Sequence, residues 1–369
     1  MTTRLIAPFV TAAAALTLVT PAAAQKYDFD IQNKPAAPAP VSQAAPDYPS
    51  RVRSGQEGWV RVNFIITAGG KAADPIIMNS VGGVVFEDSV MERVPEWRFE
   101  PTGEALVDNT TDIRFEIHDG RDLATSNFLR RYRRIVRHLF NEEFLEARTS
   151  VNQAAEIGGW NLYESTMLWL MIGRVEGAEG DSTGKLDAYR RALGVSNANS
   201  LDGEDRRELL RRLFELEMEH SQFAAADRTL RLLRRETGSE ADLEKISGLV
   251  ADLERNLAGD AAITARATIA NPGGGNEGRP LWTYVPARRT FSFAALSGNV
   301  ERFEVRCERD RLEGPVEAGK AWSLPKGASD CRVFVFGEQG ASFGFVEHNE
   351  NESVDADART AVARSDVLD

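Results

Sequence analysis

The residues that could do chemistry are few and scattered. The chain has four histidines, His118, His138, His220 and His348, and none stands at the short helical spacing that brings two metal ligands onto one face. No metal is expected. There is no Gly-x-Ser-x-Gly elbow to expose a nucleophilic serine and no P-loop. Gly273-Gly274-Gly275-Asn276 is a glycine run, but no strand precedes it and no helix follows, as phosphate cradling requires. It reads as a flexible connection. Carboxylates are plentiful, yet no pair stands in surroundings that would split two pKa values into an acid and a base. These absences imply no cofactor and favour a non-enzymatic binding protein; a hydrolase of envelope polymers is the weakest alternative.

Two cysteines, Cys307 and Cys331, are too few for a disulfide-rich scaffold or a four-cysteine zinc site, so their meaning depends on compartment. The amino terminus addresses that. Arg4 precedes an apolar run from Leu5 to Val19, and Ala22-Ala23-Ala24 closes it. This pattern reads as a signal peptide at residues 1–24, cleaved between Ala24 and Gln25. The alternative is an uncleaved inner-membrane anchor, but the run is short against the ~20 residues of a span and is rich in Ala and Thr. No cysteine follows the junction to carry a lipid. The expected location is the periplasm, with only indirect membrane contact. There a Cys307–Cys331 disulfide is the natural state, closing a loop of about 25 residues worth roughly 3 kcal/mol. The net charge of −12 argues against a nucleic-acid partner.

The elements that would position any site fall into blocks. Residues 25–46 are rich in Pro and Ala and read as an extended linker. From Gly58, a β-branched and aromatic run through Trp59, Val62, Phe64 and Ile66 reads as a strand, with a turn at Gly69-Gly70 and a second strand over 75–81. Phe86, Val90 and Val94 recur at helical spacing, and Thr111 to Ile117 is a third strand. One helix on a small antiparallel sheet is a stable solution for this ββαβ order.

Asp47-Tyr48-Pro49, Gly55-Gln56-Glu57-Gly58-Trp59-Val60-Arg61-Val62, Phe86-Glu87 and Glu96-Trp97-Arg98-Phe99-Glu100-Pro101 follow one another at spacings that resemble the TonB C-terminal domain family. The resemblance covers residues about 46 to 118, and the domain is expected to span residues 47–120. It implies that the last strand is an open edge receiving a short peptide segment from an outer-membrane transporter. The contributors would be Thr111, Asp112, Ile113, Arg114 and Phe115, and an edge of unpaired N–H and C=O groups can accept such a strand. Exchange of strands between copies, giving a homodimer, is an alternative. The leader carries no histidine and the linker is short, so an inner-membrane energy transducer is the rival reading and a periplasmic adaptor the preferred one.

Residues 125–258 read as helical. Trp169, Ile172, Gly173, Gly180, Tyr189 and Ala192 fit a tetratricopeptide-like pattern, loosely repeated at Leu210, Leu213, Ala226, Leu230 and Leu233. The basic opening Arg130-Arg131-Tyr132-Arg133-Arg134 reads as a solvated helix face paired with Glu142, Glu143 and Glu146. Residues 262–348 alternate short strands with Gly and Pro, suggesting a small β-sandwich that holds Cys307 and Cys331. Residues 349–369 form an acidic, polar tail. The expected class is therefore multidomain α+β: a TonB-like ββαβ unit, an α-helical tetratricopeptide-like solenoid and a C-terminal β-sandwich.

Overall fold

The computed structural model describes residues 27–32, 38–103, 106–117, 124–197, 199–271 and 280–349. The expected signal peptide with its Ala24–Gln25 junction, His118, the Gly273–Asn276 run and the tail beyond Asn349 lie outside these residues.

The first unit is an antiparallel sheet built from β1 (Tyr27–Gln32), β3 (Gly58–Ile66), β4 (Ala72–Val81) and β6 (Val107–Ile117), in the order β1-β6-β3-β4. Helix α1 (Val84–Arg93) covers one face, and the short strands β2 (Pro40–Ser42) and β5 (Arg98–Phe99) pair with each other beside it. β3 turns into β4 through Gly70, whose φ of 82° favours glycine; a Cβ there would meet the Phe99 carbonyl oxygen. Val60, Val62, Phe64 and Ile66 join Phe86, Val90, Trp97 and Phe115 in the core under α1. The other face of β3 is also buried, which is why its sequence alternates poorly: both faces need apolar or satisfied side chains. Trp59 is fully buried, but against Leu162 and Val195 of the helical region rather than beneath α1.

The segment expected to be a coreless linker holds two strands. β1 pairs with β6, and β2 pairs with β5. Trp97 Nε1 donates to the Ala44 carbonyl at 2.8 Å, and the Tyr48 ring lies edge-on to Phe86 at 5.8 Å and to Phe115 at 6.1 Å. Proline excludes a residue as an amide donor but leaves its carbonyl and its neighbours free to pair, so a Pro-rich stretch can still edge a sheet.

Three helical hairpins follow: α2 (Ser126–Phe140) with α3 (Phe144–Ile157), α4 (Leu162–Ala178) with α5 (Ser182–Val195), and α6 (Gly203–Glu219) with α7 (Phe223–Arg235). Each reverses through one residue of positive φ, Glu142 at 59°, Gly180 at 82° and Ser221 at 55°. Two shorter helices, α8 (Glu240–Lys245) and α9 (Ser247–Ala258), pack against α6 and α7. The Asn161 side chain and Glu164 form a reciprocal capping box that starts α4.

The last unit contains two four-stranded antiparallel sheets. One is ordered β11 (Arg311–Pro315), β10 (Val300–Arg306), β13 (Arg332–Gly337), β8 (Leu281–Tyr284). The other is ordered β12 (Ala321–Ser323), β9 (Thr290–Ser297), β14 (Ser342–His348), β7 (Ile263–Thr268). Both contribute to one aromatic core of Phe291, Phe293, Phe303, Phe343 and Phe345, and the Cys307–Cys331 disulfide lies within it.

The three units are joined by polar staples as well as by apolar contact. Glu57 Oε1 accepts from the Ile117 amide at 2.7 Å, and its Oε2 accepts from the Leu162 amide at 2.8 Å, where α4 begins. One carboxylate thus ties β6 to a helix start. Ile76 and Met78 of β4 pack against Leu281, Phe334 and Phe336 of the last unit.

Candidate functional site

The residues anticipated for partner binding all lie on β6, and strand alternation divides them. Thr111, Ile113 and Phe115 are buried on the α1 side; Ile113 and Phe115 belong to the core. Asp112 and Arg114 point to the opposite face, toward the helices. Asp112 accepts two bonds from Arg61, at 2.6 Å from Nε and 2.7 Å from Nη2. Burial by itself would lower the Arg61 pKa, but the Asp112 charge and hydrogen bond outweigh it and hold the guanidinium above its ordinary value. Arg114 donates to the carbonyls of Val195 at 2.9 Å and Gly194 at 2.8 Å, at the end of α5. A cation at a helix carboxyl end meets the negative pole of the peptide dipoles, which favours this docking.

The expectation that β6 is an open edge is overturned. On one side it pairs with β3, and on the other with β1 through six residue pairs, from Tyr27 opposite Ile117 to Gln32 opposite Asp112. β6 is therefore an inner strand. The physical reason is the one that made the edge attractive: a row of unpaired backbone groups recruits any extended segment within reach. The missed signal is in the sequence, where Tyr27, Phe29 and Ile31 alternate with Asp28, Asp30 and Gln32, the period of a strand. At the opposite edge, the start of β4 is met by backbone, and further along side chains reach its carbonyls, Arg306 at Asp74 and Arg191 at Ser80. At that start Ala72 donates to the Trp97 carbonyl at 3.2 Å, and Phe99 donates to the Gly70 carbonyl at 2.7 Å.

Elsewhere the sequence candidates stay apart. Arg130, Arg133, Arg134 and Arg137 are exposed on α2, and among the described residues the α2 side chain that reaches an acid is His138, 2.6 Å from Glu143. The resulting bond holds the Glu143 carboxyl below its usual range. His220 and His348 sit in separate units, and among the described residues no group of three His, Cys, Asp or Glu side chains could hold a metal ion. No helix among the described residues is long and apolar enough to cross a membrane.

Residues 44–118 match the sequence profile of the family described as Gram-negative bacterial TonB protein C-terminal. Among solved structures, the solution NMR structure of the Pseudomonas aeruginosa TonB C-terminal domain is 29% identical. That match covers 24% of this chain and 89% of the other, with a TM-score of 0.20. No curated protein matches the chain.

Proposed function

With residues 44–118 matching the TonB C-terminal family, we propose that this chain is an envelope adaptor that recognises a protein or peptide partner by strand addition at β6, with β1 occupying that place until a partner displaces it. The observation that carries the reading is the β1–β6 ladder itself. A short segment from outside the matched region lies along the strand for which a peptide-receiving role was expected. Strand addition takes its affinity from main-chain hydrogen bonds, so β6 can accept an extended peptide of varied sequence. Residues 33–37 join β1 to the rest of the chain, so the occupant is tethered, and a partner competes against a high effective concentration. In this reading the helical hairpins are a tetratricopeptide-like scaffold, the last unit is a β-sandwich, and both hold β6 in a fixed setting within the periplasm. The chemistry-bearing residues of the sequence support no catalytic role.

A labelled peptide with the sequence Tyr27 to Gln32, titrated against the mature chain and against a variant lacking residues 25–32, tests this. The deletion variant should bind the peptide in trans at least tenfold more tightly, and it should capture more protein from an envelope extract. Equal, negligible binding by both forms would sink the reading. A concentration-dependent dimer formed only by the deletion variant would support homodimerisation at the same edge. Sequencing the amino terminus of the mature chain separates the adaptor from the inner-membrane transducer, since a start at Gln25 leaves no anchor.

A further inference from the structure

A half-open cavity of about 590 Å³ lies where β3 and β6 meet α5, α6, α7, β8 and β13. Its walls are unusually cationic. Arg61, Arg114, Arg190, Arg206, Arg228 and Arg332 line it, against the carboxylates Asp112, Asp187 and Glu217. The acids are already engaged: Asp112 by Arg61, Asp187 by Arg191 at 2.9 Å, and Glu217 by Arg190 at 2.8 Å. Two of the cations look outward for partners, Arg206 to Glu236 at 2.9 Å and Arg228 to Asp330. The guanidinium of Arg332 has neither hydrogen bond nor ion pair among the described residues.

Arg332 begins β13 on the face that carries Phe334 and Phe336, so the sheet sets it against the other two units, and it is half-buried. Desolvation, reinforced by the charges of Arg228 and Arg61, pushes its pKa down to about 10, against smaller opposing pulls from Asp108 and Asp330. A half-buried cation beside other cations, with no carboxylate at ion-pair distance among the described residues, costs folding free energy. Structures keep such groups where a ligand completes them, because a site prepared for binding is itself under strain.

We propose that this cavity binds a small, multiply charged oxyanion of phosphate or polycarboxylate type, with Arg332 as the principal contact and Arg114 and Arg228 flanking it. Guanidinium groups suit either anion because their planar N–H pairs match two oxygens at once. The cavity is large enough for a small molecule of several such groups. This site shares Arg114 of β6 with the strand-addition reading but does not rest on it, because its principal contact, Arg332, lies in the last unit and the occupant enters between units.

Calorimetric titration of the full mature chain with inorganic pyrophosphate, and separately with citrate, distinguishes the two anion sources. At least one should bind with submillimolar Kd, weakening as salt rises. Arg332→Met should reduce that affinity by about tenfold or more, the scale of a lost charge-assisted contact. The same variant should melt at or above the parental temperature, since it removes an unpaired cation. Failure of both anions to bind at about 10 mM, or equal binding by Arg332→Met, would overturn the proposal. So would loss of binding together with a lowered melting temperature, because that would make Arg332 a structural residue.

Discussion

Arg306 on β10 donates from Nη1 to Asn63 Oδ1 on β3 at 2.7 Å, joining residues 243 positions apart. Both side chains are almost entirely buried, and neither unit completes this arrangement by itself. Arg306 also donates to the Asp74 carbonyl at 2.9 Å, to Asp74 Oδ2 at 2.8 Å and to Glu304 Oε1 at 2.6 Å. Asn63 in turn donates to Asp108 Oδ1 at 2.6 Å. A buried guanidinium is tolerated only when its charge and its donors are matched, and here the matching comes from both sides of a domain boundary. The boundary is therefore specified by polar geometry as well as by apolar area.

Replacing Arg306 by Met should leave Asn63 and Glu304 with lost partners in a buried setting, and Asp74 with one in a partly exposed setting. Arg311, at 2.9 Å from Glu304 and 3.0 Å from Asp74, retains part of the network. The expected loss is about 3 kcal/mol, the lower end of the range for breaking a buried pair. Urea unfolding measures it, and an unchanged midpoint would show that the network contributes nothing.

Gly194 near the end of α5 faces the fully buried Trp59; a Cβ built there would stand 2.5 Å from the indole ring. Alanine favours helix by ~1 kcal/mol over glycine, but overpacking at a closed contact costs about 1–3 kcal/mol. Gly194→Ala should therefore destabilise the chain and alter tryptophan fluorescence. A compensating Trp59→Leu should recover part of the loss. Additive effects in the double variant would remove the contact from the account.

Removing the Cys307–Cys331 bridge by a double Ala substitution should cost roughly 3 kcal/mol on the loop-entropy model, since the bridge spans 24 positions. The bridge lies in the aromatic core of the last unit. Thermal melts with and without reductant should then differ in the parent chain and coincide in the variant.

Glu347 is fully buried and accepts from Tyr284 Oη at 2.8 Å and from the amides of Ala287 at 2.6 Å and Arg288 at 2.7 Å. Burial pushes its pKa above the ordinary 4.5, although these donors oppose the shift. The folded chain then holds this proton more tightly than the unfolded chain. The group's contribution is complete below pH 4.5 and is lost as pH rises through the elevated value. Glu347→Gln should flatten that part of the stability–pH curve; a slope identical to the parent's would assign it to other groups.

Much of the sheet unit was legible. Trp59 to Ile66, the Phe86 and Val90 spacing and Thr111 to Ile117 correspond to β3, α1 and β6, because local periodicity reports which face is apolar. The short strands β8, β11 and β12 escaped the reading, being three to five residues long without a strong pattern, and β7 escaped it although its six residues alternate. β1 escaped it for a different reason: its value lies in a partner strand some 85 positions away, from Gln32 paired with Asp112 to Tyr27 paired with Ile117.

The candidate residues divide along the same line. That Asp112 and Arg114 share one face of a strand, and Ile113 and Phe115 the other, follows from a period of two and is written in the sequence. So is the availability of two cysteines for one bridge. Whether β6 has a free edge, which domain Trp59 belongs to, and why Arg332 stands beside Arg61 and Arg228 with no carboxylate at ion-pair distance were decided only by the tertiary structure. Side-chain direction is a local property of the backbone, whereas the neighbours met in that direction depend on how separate units dock.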